Sequence, residues 1–178
     1  MKKIPVDRDF RINIKQLEKE LQKCLDNHIP VLSVVGVVGT TEEGTIDPID
    51  EILMLKEKFA MKGLSFHFHI DGAYGGYFCS MVREVKSHWN SFSPYVEKQL
   101  KYICKADSIT FDPHKTGYVP YVCGGIIYKN HQIRENLSFS APYIFTGIEP
   151  NVSIYGIEGS KPGNAVTSVY LSIAVLPL

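Results

Sequence analysis

The stretch at residues 31–38 constrains the fold most, because it is almost continuously apolar and rich in β-branched side chains. Such a stretch is typical of a parallel strand that is covered on both faces, since a strand with one solvent face alternates apolar and polar residues. Apolar side chains recur at helical spacing before it, over residues 13–27, and after it, from Ile49 to Phe59. The sequence therefore predicts a buried strand between two amphipathic helices.

The second helix has a clear predicted start at Asp47 and Pro48. The aspartate can accept hydrogen bonds from free amides at a helix start, and proline needs no N–H at the first helical position. Apolar and polar side chains then alternate over residues 65–71, which predicts a strand that ends at Asp71. A third helix is expected over residues 93–105.

Two further strands are predicted at residues 108–112 and 123–128. They are separated by about ten residues, too few for a helical crossover, so an antiparallel pair is expected. The β-α-β-α-β alternation before them predicts an α/β/α three-layer sandwich with a mostly parallel sheet, which binds ligands beyond the carboxyl ends of its strands. Residues 165–178 are apolar nearly all round, which predicts a buried helix and a chain that is part of a longer one.

Composition favours a small-molecule partner over nucleic acid or a membrane. Lysine plus arginine and aspartate plus glutamate both number 19, without a basic or acidic run. No apolar segment reaches the ~20 residues that span a bilayer, so a soluble protein is expected. The four cysteines are widely scattered, which argues against a zinc site and a disulfide scaffold and favours reduced thiols in a cytoplasmic protein.

Two polar residues stand where a ligand site is expected. Asp71 ends a predicted buried strand, and Lys115 lies in the loop after a neighbouring strand, so both are expected in one crevice. Pyridoxal phosphate needs this pair, a lysine that forms a Schiff base and a carboxylate opposite the pyridine nitrogen. Taken alone, the two residues also suit a solvated lysine and a capping aspartate.

Three ordered motifs carry a resemblance to a known family. They read Val-Gly-Thr-Thr-Glu-Glu-Gly-Thr-Ile-Asp at 38–47, His-Ile-Asp-Gly-Ala-Tyr-Gly-Gly at 69–76 and Asp-Ser-Ile-Thr-Phe-Asp-Pro-His-Lys at 107–115. Together they resemble the group II pyridoxal-phosphate-dependent amino-acid decarboxylases, and residues 116–121 and 158–161 look most like the bacterial tyrosine decarboxylases.

The resemblance covers nearly the whole chain and implies the large domain of a fold-type I, aspartate aminotransferase-like enzyme. Residues 1–178 are expected to be the central part of that domain. The phosphate-binding loop of the family is expected upstream of it, and the small domain downstream. The implied activity is decarboxylation of an aromatic L-amino acid similar to tyrosine, by a cytoplasmic homodimer.

The resemblance also implies roles for individual residues. Lys115 corresponds to the Schiff-base lysine and Asp71 to the partner of the pyridinium nitrogen. Ala73 is expected to pack its methyl group on the cofactor ring, and Thr41 to support the phenolic oxygen or Asp71. His114 is expected to reach the phosphate or the substrate carboxylate and to act in catalysis beside the lysine.

The resemblance does not give a single role to two further positions, Asp112 and Ser160. Relatives that act on animal aromatic amino acids commonly have asparagine where this chain has Asp112, and a carboxylate is a poor phosphate ligand, so direct phosphate contact by Asp112 is not expected. Ser160 is interpreted either as a group that approaches the phosphate of a neighbouring subunit or as a turn residue.

Three alternatives stay open from the sequence. His67, His69 and Asp71 share one face of their strand, as the ligands of a metal hydrolase would. A carbon–carbon lyase of the sphingosine-phosphate type has a similar lysine loop, although residues 116–117 interrupt its pattern here. The third alternative is that the segment is a non-catalytic fragment, whose uncovered apolar faces would make it self-associate.

Overall fold

The structure is a computed structural model that describes residues 1–82, 92–136 and 161–175. The described residues contain four β-strands and six α-helices. In chain order these are α1 (Ile14–Asp26), β1 (Ser33–Val37), α2 (Ile49–Ala60), β2 (His67–Asp71), α3 (Pro94–Tyr102), β3 (Ser108–Phe111), α4 (Pro113–Thr116), β4 (Gly125–Tyr128), α5 (Gln132–Asn136) and α6 (Gly163–Val175). Two 3₁₀ segments, Gly76–Val82 and Ile103–Lys105, lie before and after α3.

The four strands form one sheet in the order β1-β2-β3-β4. Strands β1, β2 and β3 are parallel, and β4 pairs antiparallel with β3. Asp71 pairs with Val37 on one side and with Thr110 on the other. This topology confirms the predicted α/β class with a mostly parallel sheet, and it confirms the antiparallel pair that the short connection indicated.

Helix starts follow the capping chemistry of the sequence at two places. The Asn13 side chain accepts a hydrogen bond from the Gln16 amide at 3.1 Å and begins α1. Ser93 accepts from the Val96 amide at 3.3 Å, with proline at the first position of α3. Both side chains satisfy amides that have no partner within the first helical turn.

Helices α1, α2 and α3 pack against one face of the sheet. Phe68 and Ile70 of β2 are fully buried in the same apolar cluster as residues of these three helices. Gly36 of β1 lies under α2, because a β-carbon there would stand 3.2 Å from the Ile49 side chain and 3.3 Å from that of Ile52. His67, His69 and Asp71 alternate with the buried residues of β2 and therefore lie on the opposite face.

The role predicted for Asp47 as the cap of α2 is wrong. Pro48 is the capping residue of that helix, and no side chain caps it. The Asp47 carboxylate instead accepts hydrogen bonds from the Ile12 amide at 2.6 Å and the Val37 amide at 2.7 Å. It thereby joins the segment before α1 to the end of β1. Burial raises the pKa of Asp47, so these two amides offset part of the cost of a buried charge.

The C-terminal helix is confirmed over Gly163–Val175, but its predicted burial is wrong for the described residues. None of its residues is buried, and Val166, Tyr170 and Val175 are each more than 70% exposed. Its Ser172 hydroxyl donates to the Gly117 carbonyl at 3.0 Å. The apolar sequence pattern predicts a helix, but it does not show which elements pack against that helix.

None of the helices in the described part of the chain is both long and apolar enough to cross a membrane. The four cysteines, Cys24, Cys79, Cys104 and Cys123, all lie in that part and are free thiols.

Replacement of Asp47 tests its role as a bridge. We expect Asp47→Ala to lower the free energy of unfolding by about 2 kcal/mol, because it leaves two amides near the core without an acceptor. Urea unfolding measures the change. The exposed Glu42 lies in the same loop, so Glu42→Ala serves as the control and should have little effect. Equal stability of the two variants would contradict the bridging role.

Candidate active site

The five candidate site residues lie in three loops at one edge of the sheet. Thr41 follows β1, Asp71 and Ala73 stand at the end of β2 and just after it, and His114 and Lys115 follow β3. Because β1, β2 and β3 are parallel neighbours, their carboxyl ends meet at the same edge. The structure thus brings the five residues to the edge where α/β sheets bind their ligands.

The loop after β1 closes on itself. Val38 pairs with Ile46 across its base, and the Gly39 amide donates to the Thr45 carbonyl at 2.9 Å. Gly39 has a φ of +89°, a conformation that favours glycine. Thr41 lies at the exposed tip of this loop, and its predicted support of the cofactor or of Asp71 stays a prediction.

The loop after β2 packs tightly on the loop after β1. The Gly75 amide donates to the Val38 carbonyl at 2.9 Å, and a β-carbon on Gly75 would lie 2.5 Å from that carbonyl oxygen. One carboxylate oxygen of Asp71 accepts a hydrogen bond from the Ala73 amide at 3.1 Å. This bond fixes the carboxylate and leaves its second oxygen for another donor.

Lys115 lies in the short helix α4, and its ammonium is paired with Asp112 rather than with Asp71. The Lys115 Nζ stands 2.8 Å from the Asp112 Oδ2, and the lysine side chain is 41% exposed. An ion pair with this much exposure is worth little, so the lysine can leave it at small cost. Asp112 therefore holds the lysine side chain at the sheet edge by a weak ion pair.

The His114 ring is fixed by the backbone of Cys123. The His114 Nδ1 contacts both the carbonyl oxygen and the amide of Cys123, and the ring packs edge-on against Tyr121 with centroids 4.7 Å apart. The other ring nitrogen, Nε2, lies 3.8 Å from the Asp112 Oδ2. His114 and Lys115 thus share one carboxylate, and the His114 ring holds a single orientation.

The two histidines of the metal-hydrolase alternative have a different partner. The His67 Nε2 and the His69 Nδ1 each lie 2.7 Å from the Ser108 hydroxyl. Across residues 1–82, 92–136 and 161–175, no group of three His, Cys, Asp or Glu side chains is arranged to hold a metal ion. The two imidazole rings therefore share the Ser108 hydroxyl as a common partner.

Two cavities, of about 370 and 790 Å³, lie elsewhere on the molecule. The first is lined by residues that include Arg11 and Tyr95, and the second by the N-terminal segment and β1. Neither includes Asp71 or Lys115 in its lining. A shared cavity for those two side chains stays a prediction.

Comparison with known families agrees with this arrangement. The pyridoxal-dependent decarboxylase conserved domain matches residues 1–176. The chain belongs to this family. Membership confirms the resemblance seen in the three motifs. The family is one of decarboxylases that depend on pyridoxal, which agrees with the enzyme class and the cofactor that the resemblance implied.

Curated relatives point in the same direction. The chain is 39% identical to an L-tyrosine decarboxylase of Enterococcus faecium over 197 residues, which covers 98% of this chain and 32% of that protein. It is 30% identical over 163 residues to an aspartate 1-decarboxylase of Aliivibrio fischeri, covering 92% of this chain and 27% of that protein. The chain therefore spans about a third of the length of such relatives.

A solved structure confirms the fold. TDC of Oryza sativa, determined with PLP and tryptamine, superposes with a TM-score of 0.74 at 18% identity, over 97% of this chain and 33% of that chain. At this identity the likeness concerns the fold alone. It agrees with the predicted fold-type I α/β class.

The residues at the sheet edge fit pyridoxal phosphate in chemical type. Asp71 offers a fixed carboxylate, and Lys115 offers a primary amine on the adjacent strand's loop. Ala73 brings only a methyl group two residues after that carboxylate. The amine of Lys115 is engaged in its ion pair with Asp112.

The sequence did not assign the role of Asp112 in this pairing. The signal was present, because aspartate and lysine three residues apart face each other on a helix. Ser108 was missed as well, since a serine within a strand gives no signal by itself. Ser160 lies outside the described residues.

The close contact of the two loops can be tested at Gly75. We expect Gly75→Ala to destabilise the protein by about 1–3 kcal/mol, because its methyl group overpacks against the Val38 carbonyl. Gly163→Ala is the matched control, since a β-carbon at Gly163 meets nothing within 4 Å. Urea unfolding of both variants measures the difference, and equal stabilities would rule out the contact.

Proposed function

We propose that the protein containing this chain decarboxylates an L-amino acid with pyridoxal phosphate, and that its substrate is tyrosine or a similar aromatic amino acid. The observation that carries the proposal is the placement of Asp71 at the end of β2 and of Lys115 in α4, directly after β3, the parallel neighbour of β2. Identity to an L-tyrosine decarboxylase supports the substrate class.

The cofactor and the residues of this chain supply different parts of the proposed reaction. When bound, pyridoxal phosphate supplies a cationic ring that accepts the electron pair released as carbon dioxide leaves. Asp71 keeps a negative charge opposite the ring nitrogen, which favours the protonated ring. The bond from the Ala73 amide holds that carboxylate in place.

Lys115 is the residue that binds the cofactor covalently and moves protons. Its Nζ must lose a proton before it acts as a nucleophile, and the Asp112 Oδ2 stands 2.8 Å away. Departure of the lysine from Asp112 lets it reach the site. The same amine then carries a proton back to the substrate carbon.

His114 orients the substrate end of the site. Its Nδ1 is engaged by the Cys123 amide, so Nε2 is the nitrogen that faces a phosphate or a carboxylate. Thr41 and Ala73 complete the proposed set, the first beside the phenolic oxygen and the second against the ring.

Decarboxylation by the full-length protein tests the proposal. We expect carbon dioxide from tyrosine in a panel that also holds tryptophan, glutamate and aspartate. Lys115→Ala should lower kcat at least about a hundredfold, because it removes the covalent anchor and the proton carrier. Lys129→Ala, at an exposed lysine after β4, is the control and should keep full activity.

Normal turnover by Lys115→Ala would refute the assignment of the lysine. Release of carbon dioxide from aspartate but not from tyrosine would refute the aromatic substrate and keep the enzyme class.

We also propose that the protein is a homodimer, on the basis of the apolar surface of α6. Val166, Tyr170, Leu171, Ile173 and Val175 of this helix are all more than half exposed. A patch of this kind on a soluble chain marks a contact surface. Ser172 joins the helix to Gly117, two residues from Lys115, so a second copy that covers α6 would lie near the site.

Self-association through α6 has a direct test. Sedimentation should show a mass above that of the monomer, and Leu171→Glu should shift it toward the monomer, because burial of the new charge is costly. Asn164→Glu adds the same charge at an exposed position at the start of α6 and should leave the mass unchanged. A strictly monomeric wild-type chain at high concentration would contradict the proposal.

A further inference from the structure

The helix that carries Lys115 is too short to hold its own orientation. Helix α4 spans only Pro113–Thr116, which is about one helical turn, and an isolated turn is not stable in water. The direction in which the Lys115 side chain leaves this helix must therefore be set by contacts between α4 and other parts of the chain.

The loop after β2 supplies such contacts at both ends of α4. At the start of the helix, the Asp112 amide donates to the Ala73 carbonyl at 3.2 Å. At its last residue, the Thr116 hydroxyl donates to the Tyr74 carbonyl at 2.8 Å. Because Ala73 and Tyr74 are consecutive residues, the two hydrogen bonds hold both ends of α4 against one short piece of backbone.

The bond from Thr116 fixes the rotation of α4 relative to that loop. Consecutive side chains of an α-helix point about 100° apart, so the direction of the Thr116 side chain determines that of the neighbouring Lys115. His114 also anchors α4, but its ring contacts Cys123, which precedes β4. The Thr116 hydroxyl instead binds the loop that follows Asp71.

The same loop holds the carboxylate of Asp71. The Ala73 amide donates to the Asp71 Oδ1 at 3.1 Å, and Ala73 is joined directly to Tyr74. A short connection therefore runs from the Asp71 carboxylate through these two residues to the Thr116 hydroxyl. A pyridine ring is rigid, so a carboxylate opposite its nitrogen and an amine that attacks its aldehyde must keep matching positions. An error of about 1 Å in the placement of a reacting group can cost a hundredfold in rate.

We propose that Thr116 is a positioning residue, whose hydrogen bond to the Tyr74 carbonyl sets the position of Lys115 relative to Asp71. The inference rests on the proposed function for the reaction that needs this alignment. It rests on the hydrogen bonds of α4 for the alignment itself. Loss of the Thr116 bond lets α4 turn, so that the amine of Lys115 spends less time where it can react.

Two substitutions separate the Thr116 hydroxyl from the shape of the side chain. Thr116→Val keeps the branched shape and removes the donor, whereas Thr116→Ser keeps the donor and removes a methyl group. Both are made in the full-length protein. Thr116→Ser is therefore the matched control for Thr116→Val.

The first readout needs no cofactor. Hydrogen exchange is measured by mass spectrometry on the full-length protein freed of pyridoxal phosphate, in peptides that contain α4. The His114 and Lys115 amides are bonded to the Cys123 and Asp112 carbonyls, so their exchange reports opening of the helix. We expect exchange about fivefold faster in Thr116→Val, from the loss of one modest hydrogen bond, and the wild-type rate in Thr116→Ser. Peptides of α1 should exchange at the wild-type rate in both variants.

The second readout is turnover of tyrosine, or of the amino acid that the wild type decarboxylates, per lysine that borohydride labels with pyridoxal phosphate. Thr116→Val should lower kcat about tenfold and change KM less than about twofold, because the alignment of Lys115 acts on the reaction and not on substrate binding. Thr116→Ser should keep kcat within about twofold of the wild type. Counting labelled sites removes the effect of protein that is unfolded or lacks the cofactor.

The outcomes separate the two proposals. Equal exchange of α4 in Thr116→Val and the wild type would overturn the inference, whether or not the protein is a decarboxylase. An unchanged kcat in Thr116→Val, or an equal loss in Thr116→Ser, would overturn it as well and keep the proposed function. The expected exchange, together with a wild type that decarboxylates no amino acid, would overturn the proposed function and the role of Thr116 in it, and would leave the bond to Tyr74 standing.

Discussion

Parallel pairing of β2 with both of its neighbours is the constraint on which the rest of the structure depends. Asp71 is the last residue of β2 and pairs with Val37 and with Thr110. That register brings the loops after three strands to one edge, where carboxylate, amine and imidazole groups lie among backbone amides. A slip by one residue would turn Asp71 toward the apolar core and His67 and His69 with it. The burial of Phe68 and Ile70 therefore fixes the chemistry of the opposite face.

The edge is held by polar contacts that reach across the chain. Asp47 joins the segment before α1 to the end of β1, and Gly75 allows the loop after β2 to approach Val38. Asp112 restrains Lys115 by a partly exposed ion pair, which is weak enough to open. The edge therefore combines a carboxylate held by a backbone amide with an amine held by a weak ion pair.

Patterns of local sequence predicted the strands, the helices and the antiparallel pairing of β4 with β3. The spacing of apolar residues and the length of a connection both follow from local backbone geometry. These patterns failed where the contact partner of a residue lies far away in the sequence. Asp47 looks like a helix cap, yet it bonds to Ile12, 35 residues away. The exposure of α6 depends on which elements cover it, and the contact of His67 and His69 with Ser108 depends on the register of β2 and β3. The motifs identified Asp71 and Lys115, and the structure added the ion pair between Lys115 and Asp112.

The central claim is that Lys115 is the amine that binds pyridoxal phosphate at this edge. Reduction of the full-length protein with borohydride after addition of pyridoxal phosphate, followed by peptide mass spectrometry, locates the attached group directly. We expect the phosphopyridoxyl mass on the peptide that contains Lys115 and much less of it after Asp71→Asn, which removes the charge opposite the ring nitrogen. Attachment to a different lysine, with Lys115 unmodified, would contradict the claim.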